Sequence, residues 1–430
     1  MPGPAFVECP IDLLYDEALV REWYGIKASS SGETSLKDRF LKCYLNFHLG
    51  RMFKGDLDRM TPHPFPVRSP EATSSQIDTA GRLLKSAQRP VLILGSQAML
   101  RPDQGQRLAD AVTRLGLPVY LAGMARGLLG RNHPLQMRHR RKGALKAADL
   151  VLLAGMPCDF RLDYGRSINS CAQLIAVNRS KKDLYLNRRP QLAIRADPFK
   201  TLCELSDVAG SPPTEWEHWI KELRIADQER EQEMAEKAEA TVDGVNPLAF
   251  LFQLEAFLEE DAVLVADGGD FVATAAYTLR PRGSLGWLDS GVFGTLGVGA
   301  GFAMGAHISG PKQPVWLIYG DGAAGYSLAE FDTFVRHGLP IIAVVGNDGG
   351  WAQIARDQLK FLKDDVATVL RPTDYHLAAE GLGAKGILIQ TEAQIRPALE
   401  AARDAAANGR PVLINVLIGK TDFREGAISV

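Results

Sequence analysis

The sequence predicts an α/β protein made of two doubly wound parallel-sheet domains, and three observations carry that prediction. Short unbroken runs of Val, Ile and Leu recur along the chain, helix-length segments separate them, and the alternation occurs twice, on either side of a charged stretch. A continuous apolar run marks a strand covered on both faces, and a sheet covered in that way is parallel with helical crossovers. At ~150 residues per domain, a chain of 430 residues holds two or three domains.

In chain order, residues 1–25 carry a strand-like AFVECPIDLLY that begins almost at Met1. A strand so apolar needs neighbours on both sides, so it reads as the tail of a domain whose body is absent. Residues 26–70 mix Ser-rich SSSGETS with Pro-rich MTPHPFPVRSP, the composition of a linker. Residues 71–210 form the first α/β domain, with strands expected at Pro90–Ser96, Pro118–Gly123, Asp149–Gly155, Leu174–Asn178 and Leu192–Asp197. Ser211-Pro-Pro opens a new segment, and residues 211–240 read as a linker whose charged, periodic part from Glu215 to Ala240 is a solvated helix. Residues 241–430 form the second α/β domain, with strands at Ala262–Ala266, Val315–Tyr319, Ile341–Val345, Gly386–Ile389 and Val412–Ile418.

Composition narrows the function. Lys plus Arg is 49 and Asp plus Glu is 51, a net charge of −2 that lacks the basic excess of a nucleic-acid-binding chain. The five cysteines (Cys9, Cys43, Cys158, Cys171 and Cys203) are odd in number, scattered, and form no Cys-x-x-Cys pair. Reduced thiols fit better than a disulfide framework or a zinc site. No signal peptide is recognisable, and Gly291–Pro311 is the one uncharged stretch that invites a membrane reading. With seven glycines and few large apolar residues, it is expected to be a buried, tightly packed segment of a soluble chain.

The chemistry concentrates at Gly320-Asp321-Gly322, directly after the strand VWLIY, and at Asn347, which follows Asp321 by 26 residues and ends the next strand. Open parallel sheets bind ligands beyond the carboxyl ends of their strands, so two adjacent strand tips each deliver an oxygen-bearing side chain there. A carboxylate, an amide oxygen and a carbonyl from the glycine turn after Asn347 make half of an octahedral Mg²⁺ shell, leaving room for phosphate oxygens and water. Gly322 and Ala323 leave the following helix start open to an anion. Two ordinary βα turns are the plain alternative.

These residues carry a family resemblance. GDGAAGYSLAEFDTFVRHGLPIIAVVGNDGGW resembles the thiamine diphosphate signature. Together with VLVADGGDF and DSGVFGTLGVGAGFAMGA it is similar to the diphosphate domain of 2-hydroxyacyl-CoA lyases and acetolactate synthase-like proteins. In the first α/β domain, MARGLLGRNHP and ADLVLLAGMPCDFRLDYG resemble that family's central domain. The resemblance implies thiamine diphosphate with Mg²⁺ held by Asp321, Asn347 and the carbonyl of Gly349, with Gly320, Gly322 and Ala323 against the diphosphate. Gly294-Thr295-Leu296-Gly297 matches the loop around the aminopyrimidine, where the carbonyl of Gly294 would accept from the amino group and Leu296 would wedge the cofactor into a bent shape. A glycine-rich helix start packed on a sheet is the plain reading of the same loop. Asp267-Gly268-Gly269-Asp270 matches an element near the cofactor, or is a strand-to-helix turn with Asp270 as N-cap. Trp351 lines the pocket or packs in the core.

Two expectations concern what surrounds this site. The cluster Arg138-His139-Arg140-Arg141-Lys142 reads either as a solvated loop or as a receiver of nucleotide phosphate, from the ADP part of coenzyme A or from FAD. In the family a glutamate from a separate pyrimidine-binding domain drives cofactor activation. Residues 1–25 read as the remnant of that domain, Glu8 does not match the glutamate's position, and truncation is the preferred account. The implied activity is cleavage of a 2-hydroxyacyl-CoA to an aldehyde and formyl-CoA. The alternatives are a non-catalytic or half-enzyme subunit and acetolactate formation from 2-oxo acids. The resemblance further implies a homo-oligomer or a pyrimidine-domain partner, and an endoplasmic reticulum membrane location. The tail Lys420–Val430 reads as disordered or as a lid.

Overall fold

The computed structural model describes residues 6–9, 14–29, 36–54 and 69–424, which fall into two units, Met1–Ser69 and Pro70–Val430. In the first unit, Phe6–Cys9 are exposed and irregular, so the expected strand does not form there; residues 10–13 lie outside the described residues. An isolated extended segment has no ladder partner to satisfy its backbone. The stretch expected to be linker contains a helix, Leu36–Met52, following another at Glu17–Ser29. The Ser- and Pro-rich flanks drew attention away from LKDRFLKCYLNFHLGRM, whose only glycine sits near its end.

The second unit holds two parallel sheets. The first comprises β1 (Pro90–Leu94), β2 (Val119–Leu121), β3 (Leu150–Ala154), β4 (Gln173–Val177) and β5 (Leu192–Ile194), in the order β2-β1-β3-β4-β5. The second comprises β6 (Val263–Ala266), β7 (Trp287–Asp289), β8 (Val315–Gly320), β9 (Ile342–Asn347), β10 (Lys385–Ile389) and β11 (Val412–Leu417), in the order β10-β11-β9-β8-β6-β7. Every residue of β1, β3, β6, β8 and β9 is buried, as a sheet sandwiched by helices requires. Strand β7 escaped the sequence reading because three residues at a sheet edge give no periodic signal.

Helix starts follow local chemistry. Asp197 and Asn246 each accept two backbone N–H bonds and each precedes a proline, which suits a first helical position that has no partner for an N–H. The helix Glu215–Ala238 is less solvated than its charge suggests. Trp216, Trp219, Leu223 and Met234 are buried, and the two indole N–H groups donate to the carbonyls of Ala87 and Pro90 at 2.8 and 3.0 Å. Each buried tryptophan adds apolar area as well as a satisfied donor, so this helix is pinned to the first sheet.

An ion-pair network ties the two α/β regions together. Arg282, only 2% exposed, pairs with Glu255 at 2.7 Å, and Glu255 also takes Arg131 from the first region at 3.1 Å. Arg138 reaches Glu231 at 3.1 Å and the carbonyls of Tyr277, Thr278 and Leu279 at the end of the helix Asp270–Thr278. Removing one member would leave a buried charge uncompensated. The segment Gly291–Pro311 departs from expectation. Its helix Gly299–Ser309 buries Gly299, Ala300 and Ala303 but exposes Phe302 and Ile308, so one face is packed and the other is open. Among the described residues no helix is long and apolar enough to cross a membrane.

Candidate active site

The second sheet reverses its strand order at β6. The chain runs from β6 out to β7 on one side and then returns to β8 on the other, so the connections after β6 and β8 diverge and leave a crevice. Asp267-Gly268 follows β6 and Asp321-Gly322 follows β8, and a cavity of about 610 Å³ opens between them. Gly268, Gly294, Leu296, Gly320, Asp321, Gly322, Ala323 and Asp267 all line it, whereas Thr295 is exposed outside it.

Asp321 and Asn347 converge on one turn. Strands β8 and β9 pair in parallel with Gly320 opposite Gly346, which sets the two residues side by side at neighbouring strand tips. The buried Asp321 carboxylate accepts from the N–H of Gly322 at 2.7 Å and of Gly350 at 3.0 Å; Asn347 Oδ1 accepts from Gly349 N–H at 3.3 Å. The amide of Asn347 is oriented by its Nδ2, which donates to Thr373 O at 3.0 Å and Asn415 Oδ1 at 3.2 Å. The Gly349 carbonyl already accepts from Leu370 N–H at 2.8 Å and keeps its second lone pair. Asn347 and Gly349 do not line this cavity, although their chain neighbours Gly346, Asp348 and Gly350 do. Tyr375 Oη donates to the Asp321 carbonyl at 2.9 Å, holding the strand tip from below.

This donor set fits a magnesium ion bound through a diphosphate. One carboxylate and neutral oxygens suit a cation that takes the rest of its shell from phosphate and water, and among the described residues no group of three His, Cys, Asp or Glu offers a denser cage. Burial raises the Asp321 carboxyl, against the lowering effect of its backbone N–H bonds. A cation beside it would favour the charged form.

On the other wall, Asp267 acts as an anchor. Its two oxygens accept from Gly297 N–H at 2.9 Å and Gly299 N–H at 2.7 Å, so it ties the loop 294–297 to the tip of β6. Gly294 has φ +58, a conformation that glycine adopts without strain. A Cβ on Gly268 would lie 2.2 Å from Leu296 Cδ2, so Leu296 packs directly on that glycine at the cavity surface. Asp270 is not the N-cap; Gly269 is, and the Asp270 carboxylate pairs with Arg356 at 2.6 Å. Trp351 is not core: it is half-buried, lines the cavity, and its indole occupies the space a Cβ on Gly322 would need.

Asp348 was missed by sequence reasoning, hidden inside the Asn-Asp-Gly-Gly turn. It lines the cavity, and burial, aided by the Asp321 and Asp270 carboxylates and opposed by Lys420, pushes its carboxyl up to about 7. A carboxyl raised on folding binds more protons in the folded state, so stability falls as pH rises from about 4 towards 7 and is level above that. In metal-free protein, Asp348→Asn is expected to remove this slope and to be more stable than wild type by about 2 kcal/mol above pH ~8, measured by urea unfolding. A slope retained in the variant contradicts the assignment.

The basic cluster is not a solvated loop throughout. His139 is buried, Arg138 is clamped as described, Arg140 pairs with Glu233, and only Lys142 of the five extends freely. Of the tail, Phe423 packs with Met234 and Leu248, and Arg424 is buried over the Tyr277 ring at 5.2 Å; residues 425–430 lie outside the described residues. Glu8 is exposed in the first unit. Cys43, Cys158, Cys171 and Cys203 are free thiols.

Residues 267–416 match the family described as thiamine pyrophosphate enzyme, C-terminal TPP binding domain, and residues 77–205 match thiamine pyrophosphate enzyme, central domain. The chain is 46% identical over 437 residues to 2-hydroxyacyl-CoA lyase 2 of Homo sapiens, covering 100% of this chain and 68% of the relative. It is 47% identical over 442 residues to 2-hydroxyacyl-CoA lyase 2 of Caenorhabditis elegans, with 100% and 68% covered. An acetolactate synthase large subunit of Mycobacterium tuberculosis is 37% identical over 351 residues, 81% of this chain and 62% of that protein.

Proposed function

The chain belongs to the thiamine pyrophosphate enzyme family, and from that premise we propose that it cleaves the C1–C2 bond of a 2-hydroxyacyl-CoA, giving an aldehyde and formyl-CoA. Its cofactor is thiamine diphosphate, which supplies an electron sink for the carbon left behind when that bond breaks. The observation that carries the reading is the convergence of Asp321 and Asn347 on the Gly349–Gly350 turn at the mouth of the sheet's crevice.

In this reading Asp321, Asn347 and the Gly349 carbonyl hold Mg²⁺, and Gly320, Gly322 and Ala323 border the diphosphate. The carbonyl of Gly294 would receive the aminopyrimidine, and Leu296, supported on Gly268, would hold the cofactor from the same wall. Asp267 keeps that loop in register through Gly297 and Gly299. Thr295 flanks the same loop on its outer side. Such holding is a positioning contribution, since a reacting carbon misplaced by an ångström loses much of its rate. The bond cleavage is balanced: the substrate hydroxyl gives up its proton as the aldehyde forms, and the acyl carbon takes up a proton to become formyl-CoA.

A second polypeptide surface completes the site in this proposal. Phe293 is 89% exposed beside the cavity, and Ile308, Tyr326, Phe361 and Leu362 are exposed on neighbouring elements. Exposed apolar area of this kind marks a surface made to be covered. A pyrimidine-binding domain from a partner polypeptide is the occupant that the family premise supports. An endoplasmic reticulum location rests on the family resemblance alone.

The substrate is tested by product analysis. With cofactor, Mg²⁺ and a supplied pyrimidine domain, a 2-hydroxyacyl-CoA is expected to yield aldehyde and formyl-CoA, and pyruvate is expected to yield no acetolactate. Acetolactate as the main product would replace this reading with a carboligase; neither product would make the chain a non-catalytic subunit.

A further inference from the structure

Strand β11 carries one polar residue among apolar ones. Val412–Leu417 reads VLINVL, and Asn415 is 0% exposed in its middle. An amide in a buried strand contributes little apolar area and has low strand propensity, so it persists there only if its polar atoms are used. Leu417 lies opposite Asn347 where β11 pairs with β9, and side chains alternate between the faces of a strand. Asn415, two residues before Leu417, therefore stands on the same face of the sheet as Asn347 and diagonally beside it.

The two amides close a clasp around one carbonyl. Asn347 Nδ2 donates to Thr373 O at 3.0 Å and to Asn415 Oδ1 at 3.2 Å, which uses both of its hydrogens. Asn415 Nδ2 donates to the same Thr373 O at 3.1 Å and to His376 Nδ1 at 3.4 Å. Backbone groups that cannot exchange roles force these orientations. Thr373 O can only accept, and the Gly349 N–H, 3.3 Å from Asn347 Oδ1, can only donate. With two amides on it, the Thr373 carbonyl has no lone pair to spare. The clasp leaves one lone pair over, on Asn347 Oδ1. The same segment holds the neighbouring strand tip, because Tyr375 Oη donates to the Asp321 carbonyl at 2.9 Å.

We propose that Asn415 is a positioning residue for the divalent ion: it locks the Asn347 amide with its oxygen towards the ion's site and its nitrogen turned into the core. The proposal rests on the metal role given to Asn347 above and extends it to the residue that sets its orientation. Without Asn415, Nδ2 of Asn347 loses one of its two acceptors, and the amide can turn its hydrogens towards the ion, where their partial positive charge repels it. A ligand that must be oriented on binding holds its ion less tightly than one oriented beforehand. Asn415 does not line the cofactor cavity, so its influence on the ion passes through Asn347.

Calorimetric titration with thiamine diphosphate at a series of Mg²⁺ concentrations tests this, read as the Mg²⁺ concentration that half-saturates cofactor binding. Asn415→Leu, similar in volume, is expected to raise that concentration by about tenfold, the scale of effect when a metal ligand loses its orienting partner. Asn415→Asp, whose carboxyl keeps an acceptor towards Asn347 Nδ2, is expected to recover most of the loss. In an Asn347→Ala background Asn415→Leu is expected to add nothing, since the two residues act as one unit. If Asn415→Leu does not fold, Asn415→Val, suited to a strand, takes its place in every arm. A Mg²⁺ requirement unmoved by Asn415→Leu, even with thermal stability lowered, overturns the proposal, as does a shift that persists undiminished in the Asn347→Ala background. Failure of the metal reading is separable. Asn347→Ala with an unchanged Mg²⁺ requirement rejects the metal role and the proposal together, whereas Asn347→Ala that raises the requirement while Asn415→Leu does not rejects the proposal alone.

Discussion

Asp321→Ala is expected to lower Mg²⁺-dependent affinity for thiamine diphosphate by about 100-fold, equivalent to about 2.7 kcal/mol, and to remove lyase turnover with it. The substitution deletes the one carboxylate among the three oxygens gathered at the tips of β8 and β9. The remaining Asn347 and Gly349 oxygens are neutral, so the ion would lose the direct charge attraction that holds it against the diphosphate. The same carboxylate also accepts from Gly322 and Gly350, and its loss leaves those N–H groups without partners. Asp321→Asn separates the two effects, because an amide oxygen can still accept from one of them while the charge is gone. Both variants are expected to bind the cofactor weakly; only Asp321→Ala is expected to unfold measurably earlier. Unchanged cofactor affinity in Asp321→Asn would contradict the role given to the charge.

The largest gain in rate is expected from a pyrimidine-binding domain supplied in trans. Residues 77–205 and 267–416 match the family's central and C-terminal domains, and the cavity is bordered by exposed apolar side chains such as Phe293 and Tyr326. Proton transfer by a positioned carboxylic acid contributes roughly 10²–10⁴-fold. Addition of a domain carrying the glutamate should therefore raise lyase turnover by roughly 10²–10⁴-fold, and the same domain with glutamine in its place should give almost none of that gain. Equal stimulation by both versions would mean that the added domain acts by covering apolar surface instead of by moving a proton.

The two sheets were legible because their strands are buried on both faces and so read as uninterrupted Val, Ile and Leu, from Pro90–Leu94 to Val412–Leu417. The placement of Asp321 and Asn347 at neighbouring strand tips was legible for a related reason: a strand that ends in Gly-Asp-Gly or Asn-Asp-Gly-Gly places its polar residues at a known end of the sheet. Legibility ended where meaning depends on distant partners. Nothing local distinguishes Arg126 from other arginines until Trp287 lies under it, 161 positions away in a chain whose register only the fold sets. Asp348 looks like a turn residue until Asp321 and Asp270 crowd it. The charged helix Glu215–Ala238 was read as solvated because its charges outnumber its anchors, yet two tryptophans on one face decide its packing.

The central claim is that the oxygens of Asp321, Asn347 and Gly349 hold a divalent ion against the cofactor's diphosphate. Its most direct test is diffraction from crystals grown with Mn²⁺ and thiamine diphosphate. An anomalous peak bounded by those three residues, with diphosphate oxygens completing its shell, is the result predicted here. A peak coordinated elsewhere, or a cofactor bound with those three oxygens facing no ion, would contradict the account.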